Sequence, residues 1–153
     1  MSGRTKRACL ATIADLRAER NARWDRIFRR EDYPRGLALR NYILDGREII
    51  PAPFTEWAQW FERSPHARIV KQDRVRGLFV STVFLGIDHR FGGDGPPLLF
   101  ETMIFDERDE GMARQGRDLA QWRWSTYPEA ELGHAFAVRL VESGCPFEPT
   151  GTG

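Results

Sequence analysis

The chain of 153 residues contains few cysteines and no long hydrophobic segment. Cys9 and Cys145 lie far apart and form no CxxC or Cys/His spacing, so the sequence predicts neither a zinc knuckle nor a disulfide framework. No apolar run approaches the roughly 20 residues that cross a bilayer, and the charged N-terminus lacks the apolar segment of a secretory signal. We therefore expect a cytoplasmic protein with reduced thiols and no membrane span.

Recognisable catalytic signatures are also missing from the sequence. The run Gly92-Gly93-Asp94-Gly95 does not match the phosphate-binding pattern GxxxxGK[ST], and no GxGxxG opens a helix. Neither Ser81 nor Ser125 lies in the elbow motif of a nucleophilic serine. These absences favour a binding protein over an enzyme.

Charge is distributed unevenly along a chain of ordinary composition, with 41% hydrophobic and 29% charged residues. Residues 1–40 hold eleven Lys and Arg against five Asp and Glu, which leaves 12 basic and 17 acidic residues in the rest. This pattern predicts a basic helical extension over 1–40, a single domain over 41–145 and a C-terminal tail over 146–153.

The basic extension has apolar residues at three- and four-residue intervals, with arginines between them. Thr5 is a candidate N-cap for this helix, and Pro34 with Gly36 supplies its end. Such a helix is suited to nucleic-acid phosphates or an anionic membrane surface, or it docks on the acidic domain. Asp15, Glu19 and Asp25 interrupt the positive face, which favours docking.

The clearest local signals lie near the two ends of the domain. Asp45-Gly46 between two short apolar runs predicts a tight hairpin turn. Thr126 and Glu129 predict a capping box at the start of a C-terminal helix, which Gly144 ends.

Between these signals the pattern predicts a short aromatic helix and several strands. Thr55 is the expected N-cap of a helix from Glu56 to about Arg63, and the next two strands are expected to turn near 72–74. The predicted fold class is α+β. It comprises an antiparallel sheet of about five or six strands, the aromatic helix, a C-terminal helix covering one face, and the N-terminal extension.

A loop rich in glycine and proline, Asp88–Pro97, separates two β-rich runs. Because the loop carries an acid and an imidazole at its base, we predict that it is the functional surface. Asp88 and His89 are interpreted either as a structural hydrogen-bonding pair or turn device, or as functional residues in which His89 binds a metal or acts as a general base. The structural interpretation is favoured. Glu101 points away from apolar neighbours and is expected to need a partner such as Arg123 or Arg90.

Tryptophans and a helical histidine supply further candidates. The i, i+3 spacing of Trp57 and Trp60 favours burial in the core over a ligand-stacking role, whereas Trp124 beside Arg123 keeps a binding role open. The candidate ligand- or partner-binding residues are Asp88, His89, Gly92, Gly93, Asp94, Glu101, Trp124 and His134.

Three segments together resemble a known family. They are Trp57-Ala58-Gln59-Trp60-Phe61-Glu62, the block FVSTVFLGIDHRFGGDGPPLLFETMIF, and WSTYPEAELGH from Trp124 to His134. This combination is similar to a family of small uncharacterised proteins of tailed bacteriophages and prophages, over about residues 41–142. The resemblance implies a phage-derived product acting in a bacterial cytoplasm, and it implies no mechanism.

Two function classes follow from these observations. The first is a phage accessory protein that binds a host protein or a small ligand through the 88–97 loop without catalysis. The alternative is a small metal-dependent hydrolase or nucleotide-processing enzyme that uses Asp88, His89 and Glu101. A nucleic-acid-associated role for the basic extension is a lesser possibility, and the sequence names no cofactor.

Overall fold

The structure is a computed structural model, and it describes residues 41–90, 95–107 and 117–144 together with three isolated positions. These positions, Asp15, Ala18 and Ala22, are helical and exposed. The rest of the predicted basic helix, the predicted tail and residues 91–94 of the predicted functional loop lie outside the described residues.

Within these ranges the chain folds as an α+β unit of two antiparallel sheets and two helices. The elements in chain order are β1 (Tyr42–Asp45), β2 (Glu48–Pro51), α1 (Phe54–Arg63), β3 (Ile69–Val75), β4 (Leu78–Phe84), β5 (Phe100–Asp106), β6 (Arg117–Trp124) and α2 (Tyr127–Ser143). Strands β3 to β6 form one sheet in chain order, and β1 pairs with β2 alone. No helix of the described residues is long and apolar enough to cross a membrane.

The six strands are therefore divided between two sheets and do not form the single sheet of five or six strands that we predicted. Beyond the end of β4, the β1–β2 hairpin is joined to the chain by Tyr42 N–H donating to Gly86 O at 2.7 Å and by an isolated bridge between Asn41 and Ile87. Tyr42 and Leu44 instead contribute buried side chains to the core. The hairpin is thus joined to the domain by packing more than by a hydrogen-bond ladder.

The turn between β3 and β4 lies later than the sequence predicted. We expected it near 72–74, but β3 continues to Val75, and the turn is made by Arg76 and Gly77. Both turn residues have positive φ, 53° and 80°, which is the backbone of the hairpin turn whose twist matches the strands. A positive φ at an arginine is unusual, so residue types alone did not indicate this turn position.

Helix α1 begins at Phe54, one residue before the expected N-cap Thr55. Its N-cap residue is Pro53, which makes no side-chain cap hydrogen bond. No α1 residue is fully buried, but Trp60 packs edge-on against Phe84 at 5.7 Å between ring centroids. The helix therefore packs on the core through Trp60. Its other aromatic side chains do not become fully buried.

Helix α2 covers one face of the four-stranded sheet and contacts all four strands. Its first turn is held by the predicted capping box between Thr126 and Glu129, and it ends at Gly144 with φ 67°. Facing it are the alternate residues of β4 and β5, which are fully buried; these are Val80, Thr82, Phe84, Phe100, Thr102 and Ile104. The core of the domain thus lies between α2 and this face.

Gly133 sets how closely α2 approaches the sheet. A Cβ atom added at this position would lie 2.3 Å from the indole ring of Trp124 on β6, so only glycine leaves room for the ring. Gly133 and Trp124 are both buried. The close approach of helix and strand therefore depends on a missing side chain.

We expect Gly133→Ala to destabilise the fold by about 2 kcal/mol or more, because overpacking outweighs the roughly 1 kcal/mol of helix propensity that alanine gains. Urea denaturation measures the effect. Gly144→Ala is the matched control, since a Cβ there meets nothing within 4 Å and is disfavoured only by the φ of 67°. An increase in stability for Gly133→Ala would contradict the packing argument.

Candidate functional site

A chain of polar side chains runs from the interior between α2 and the sheet to the partly exposed Asp73 on β3. Trp124 Nε1 donates to Thr102 Oγ1 at 2.9 Å, and Thr102 and Thr82 share a hydrogen bond of 2.7 Å. Thr82 Oγ1 lies 2.8 Å from His134 Nδ1, and His134 Nε2 lies 2.9 Å from Asp73 Oδ2 on β3. We call these five residues the buried polar row.

The hydrogen atoms of the buried polar row can be placed so that every donor has an acceptor. Thr102 donates to Thr82, Thr82 donates to His134 Nδ1, and the Nε2–H of His134 donates to the Asp73 carboxylate. A proton added at Nδ1 would leave a threonine hydroxyl hydrogen without its acceptor in the row. The geometry therefore favours a neutral imidazole with its proton on Nε2.

The electrostatics agree with this assignment. Burial lowers the pKa of His134 below its usual value, and the hydrogen bond to Asp73 opposes that shift only in part. The hydrogen bond from His134 in turn lowers the pKa of the Asp73 carboxyl group. At neutral pH the row ends in a neutral imidazole bound to a carboxylate.

Asp73, His134 and Thr82 have the order of acid, base and hydroxyl that nucleophilic enzymes use. However, Thr82 and His134 have no exposed surface, and the Thr82 hydroxyl faces Thr102 beneath α2. A substrate has no access to that oxygen. The row is suited to positioning the helix on the sheet, and not to nucleophilic attack.

Glu101 lies on the opposite face of the sheet from the buried polar row. Its Oε1 accepts from Arg123 Nε at 3.0 Å, and Gln121 Nε2 donates to the same oxygen. Arg123 is the residue directly across the β5–β6 ladder, and its pairing was one of the two predicted from the sequence. Glu101 is therefore an anchored cross-strand partner.

The base of the 88–97 loop is held by backbone contacts. Asp88 Oδ1 accepts from Arg90 N at 2.9 Å and from Leu98 N at 3.0 Å, so one carboxylate oxygen joins the two ends of the loop. His89 Nδ1 lies 2.9 Å from Ile87 O. In these hydrogen bonds the Asp88 and His89 side chains each bind backbone groups and not each other. Asp88 therefore holds the two ends of the loop together.

A cavity of about 440 Å³ lies beside this loop base, at the end of β3 and β4. It is lined mainly by apolar and aromatic side chains from α1, the following turn, both strands and the segment after β4. These residues, which define the α1 pocket, are Trp57, Phe61, Pro65, Arg68, Ile69, Val83, Phe84, Leu85, Ile87 and His89.

Two residues that line the α1 pocket have buried donor groups without a hydrogen-bond partner. Among the described side chains, Trp57 Nε1 and Arg68 Nε are buried and have no hydrogen-bond partner. Gly86, with φ 70°, allows the chain to pass so close to Trp57 that a Cβ there would lie 2.5 Å from its Nε1. An unsatisfied buried donor costs about 1–3 kcal/mol, and both donors belong to residues that line this cavity.

The predicted site residues that the structure describes lie in different places. His89 lines the α1 pocket and Asp88 closes the loop, whereas Glu101 lies on the adjacent strand with its own partners. Trp124 and His134 belong to the buried polar row; the remaining candidates, Gly92, Gly93 and Asp94, lie outside the described residues. The described part of the chain contains no group of three His, Cys, Asp or Glu placed to hold a metal ion.

Arg68 and Phe61 were missing from the sequence-based site, and Trp57 was assigned to the core. The spacing of Trp57 and Phe61 was an available signal, because side chains at i and i+4 lie on the same side of a helix. Their rings are indeed 5.1 Å apart. Arg68 gave no signal, because its relation to Phe61 depends on the turn after α1.

The pKa shifts predict how stability depends on pH. The pKa values of His134 and Asp73 are both lower in the folded chain, so the unfolded chain binds protons more readily. Their contribution to the free energy of unfolding is therefore fully present above the ordinary His pKa of 6.5. It falls as the pH drops through that value, and further below the ordinary Asp value of 3.8. We expect His134→Gln to show a smaller loss of unfolding free energy between pH 7.5 and 5 than the wild type.

Urea denaturation at the two pH values provides the measurement. His66→Gln serves as the control, because His66 is exposed on the turn after α1 and takes no part in the buried polar row. It should keep the wild-type pH dependence. An unchanged dependence in His134→Gln would show that the buried imidazole does not contribute.

The loop closure predicts different effects for two substitutions of Asp88. Asp88→Ala removes the acceptor of two backbone N–H groups and should cost about 1–3 kcal/mol of unfolding free energy. Asp88→Asn retains an acceptor oxygen and should cost clearly less, as measured by urea denaturation. Equal losses for both variants would mean that the charge, and not the two hydrogen bonds, is what matters.

Comparison with known proteins gives no match: no protein-family model fits the chain, and no curated protein and no solved structure is significantly similar to it. Its function is therefore inferred from the pocket and the contacts around it.

Proposed function

We propose that this chain is a non-catalytic binding protein that holds a small ligand in the α1 pocket, beside the 88–97 loop. The observation that carries the proposal is a mainly apolar cavity whose lining residues include one cation, Arg68, and no Asp or Glu. Ligand sites in proteins combine these features: a concave apolar surface and a few polar groups that fix orientation.

The size and walls of the cavity support this proposal. Its volume of about 440 Å³ lies within the range of small-molecule sites. Trp57 and Phe61 supply large flat surfaces on one side, and Ile69 and Val83, which pair across β3 and β4, supply an aliphatic surface. An apolar ligand that enters removes these surfaces from water, which is the main favourable term in such binding.

The predicted loop has a supporting role in this proposal. Asp88 ties the two ends of the loop together, and the adjacent His89 lines the pocket. The segment that closes the loop therefore also shapes the cavity wall. The proposed site therefore lies next to Asp88 and His89, where the sequence predicted function. The residues of the α1 pocket, and not the loop itself, make the proposed ligand contacts.

Catalysis by Asp88, His89 and Glu101 has less support. Asp88 accepts two backbone hydrogen bonds, and Glu101 is held by Arg123 and Gln121 on the sheet. Each side chain therefore has a structural task of its own. The phage-family resemblance is compatible with an accessory protein in a bacterial cytoplasm, and a host protein at the same surface is the alternative partner.

Blocking the pocket tests this function. We expect the neutral apolar dye N-phenyl-1-naphthylamine to bind the folded protein saturably at one site, with an increase in dye fluorescence. Val83→Phe should weaken this binding at least about tenfold, because the larger ring occupies the cavity that Val83 lines.

Val75→Phe is the matched control, because it makes the same change at a partly buried position at the far end of β3. It should leave dye affinity unchanged, and thermal melting should show that both variants fold. Equal affinities in the wild type and Val83→Phe would place the dye elsewhere and reject the α1 pocket as the site.

A further inference from the structure

The α1 pocket contains one permanently charged side chain, that of Arg68. Its guanidinium carbon lies 3.7 Å from the centroid of the Phe61 ring, so the planar group is stacked on the aromatic face. Stacking leaves the edge of a guanidinium, where its N–H donors lie, to bind a planar acceptor such as a carboxylate. Arg68 is thus positioned as an anion-binding residue.

No acid of the described residues neutralises this cation. The residues that line the pocket include Arg68 and His89 but no Asp or Glu. The acid next to Val83 in the ladder, Glu101, is held by Arg123 and Gln121. The Nε of Arg68 also has no hydrogen-bond partner, although it is buried.

The remaining walls favour a flat apolar body. Trp57 and Phe61 have ring centroids 5.1 Å apart and are tilted by 40°, so they form two sides of an aromatic corner. Aromatic ligands gain from offset or edge contacts with such rings as well as from burial.

From these observations we infer that the α1 pocket selects a small ligand in which an aromatic body carries an anionic group, a carboxylate or a phosphate ester. Arg68 binds the anion, and the rings of Trp57 and Phe61 contact the aromatic body. This inference rests on the proposed function, since it names the ligand class for the same pocket.

Three naphthalene probes with the same body test the inference: 1-naphthaleneacetate, its neutral amide 1-naphthaleneacetamide, and 1-naphthyl phosphate. Titrations followed by ¹H–¹⁵N NMR observe the Trp57 indole N–H and the Arg68 Nε–H directly. We expect the acetate to bind the wild type at least about tenfold more tightly than the amide, as charge-assisted hydrogen bonds require, and to shift both signals.

Arg68→Gln should reduce the acetate-to-amide ratio to about one. Arg68→Lys keeps the charge but loses the planar fork, so it should restore part of the ratio. Arg63→Gln is the matched control, because Arg63 is exposed at the end of α1 and does not line the pocket. It should retain the wild-type ratio.

The outcomes separate this inference from the proposed function. Equal binding of acetate and amide in both the wild type and Arg68→Gln would overturn anion selection while keeping a ligand pocket. Absence of binding by all three probes and by the neutral dye would overturn the proposed function itself. A preference for the phosphate over the acetate, lost in Arg68→Gln, would support the inference and identify a phosphate ester, and the reverse preference would identify a carboxylate.

Discussion

The buried polar row is the interaction on which the rest of the domain depends. It crosses from β6 to β3 beneath α2 and joins Trp124 to Asp73 through two threonines and His134. Because hydrogen bonds are directional and an unsatisfied buried polar group is costly, the row allows one position of the helix and one strand register. Gly133 permits that position by leaving space for the indole ring. An apolar interface of the same area would fix the helix less tightly.

This use of α2 determines where binding can occur. The helix covers one face of the sheet, so the α1 pocket forms at the end of β3 and β4, where α1 and the segment after β4 provide the walls. Polar groups in the two places have opposite status. In the row each donor has an acceptor, whereas Trp57 and Arg68 have donors without one. Donors are thus paired in the row that holds α2 on the sheet, and two donors are unpaired on residues that line the proposed ligand pocket.

Local chemistry was predictable from the sequence because it acts over a few residues. The Asp45-Gly46 turn signal and the capping box of Thr126 and Glu129 both lie in the expected elements, and Arg123 was among the predicted partners of Glu101. The Arg76 turn was missed, because a positive φ at a non-glycine residue is imposed by the strands on either side. Sheet membership of β1 was also missed, since packing decides it.

The sequence by itself determined that this is an α+β chain with a hairpin near residue 45 and a capped C-terminal helix, and it drew attention to Asp88 and His89. Only the tertiary structure decided which side chains meet. It brings Asp73 to His134 across 61 positions of the chain and places Arg68 on Phe61 at the edge of a cavity. Burial and partner choice depend on such distant contacts, and periodicity and local spacing carry no record of them.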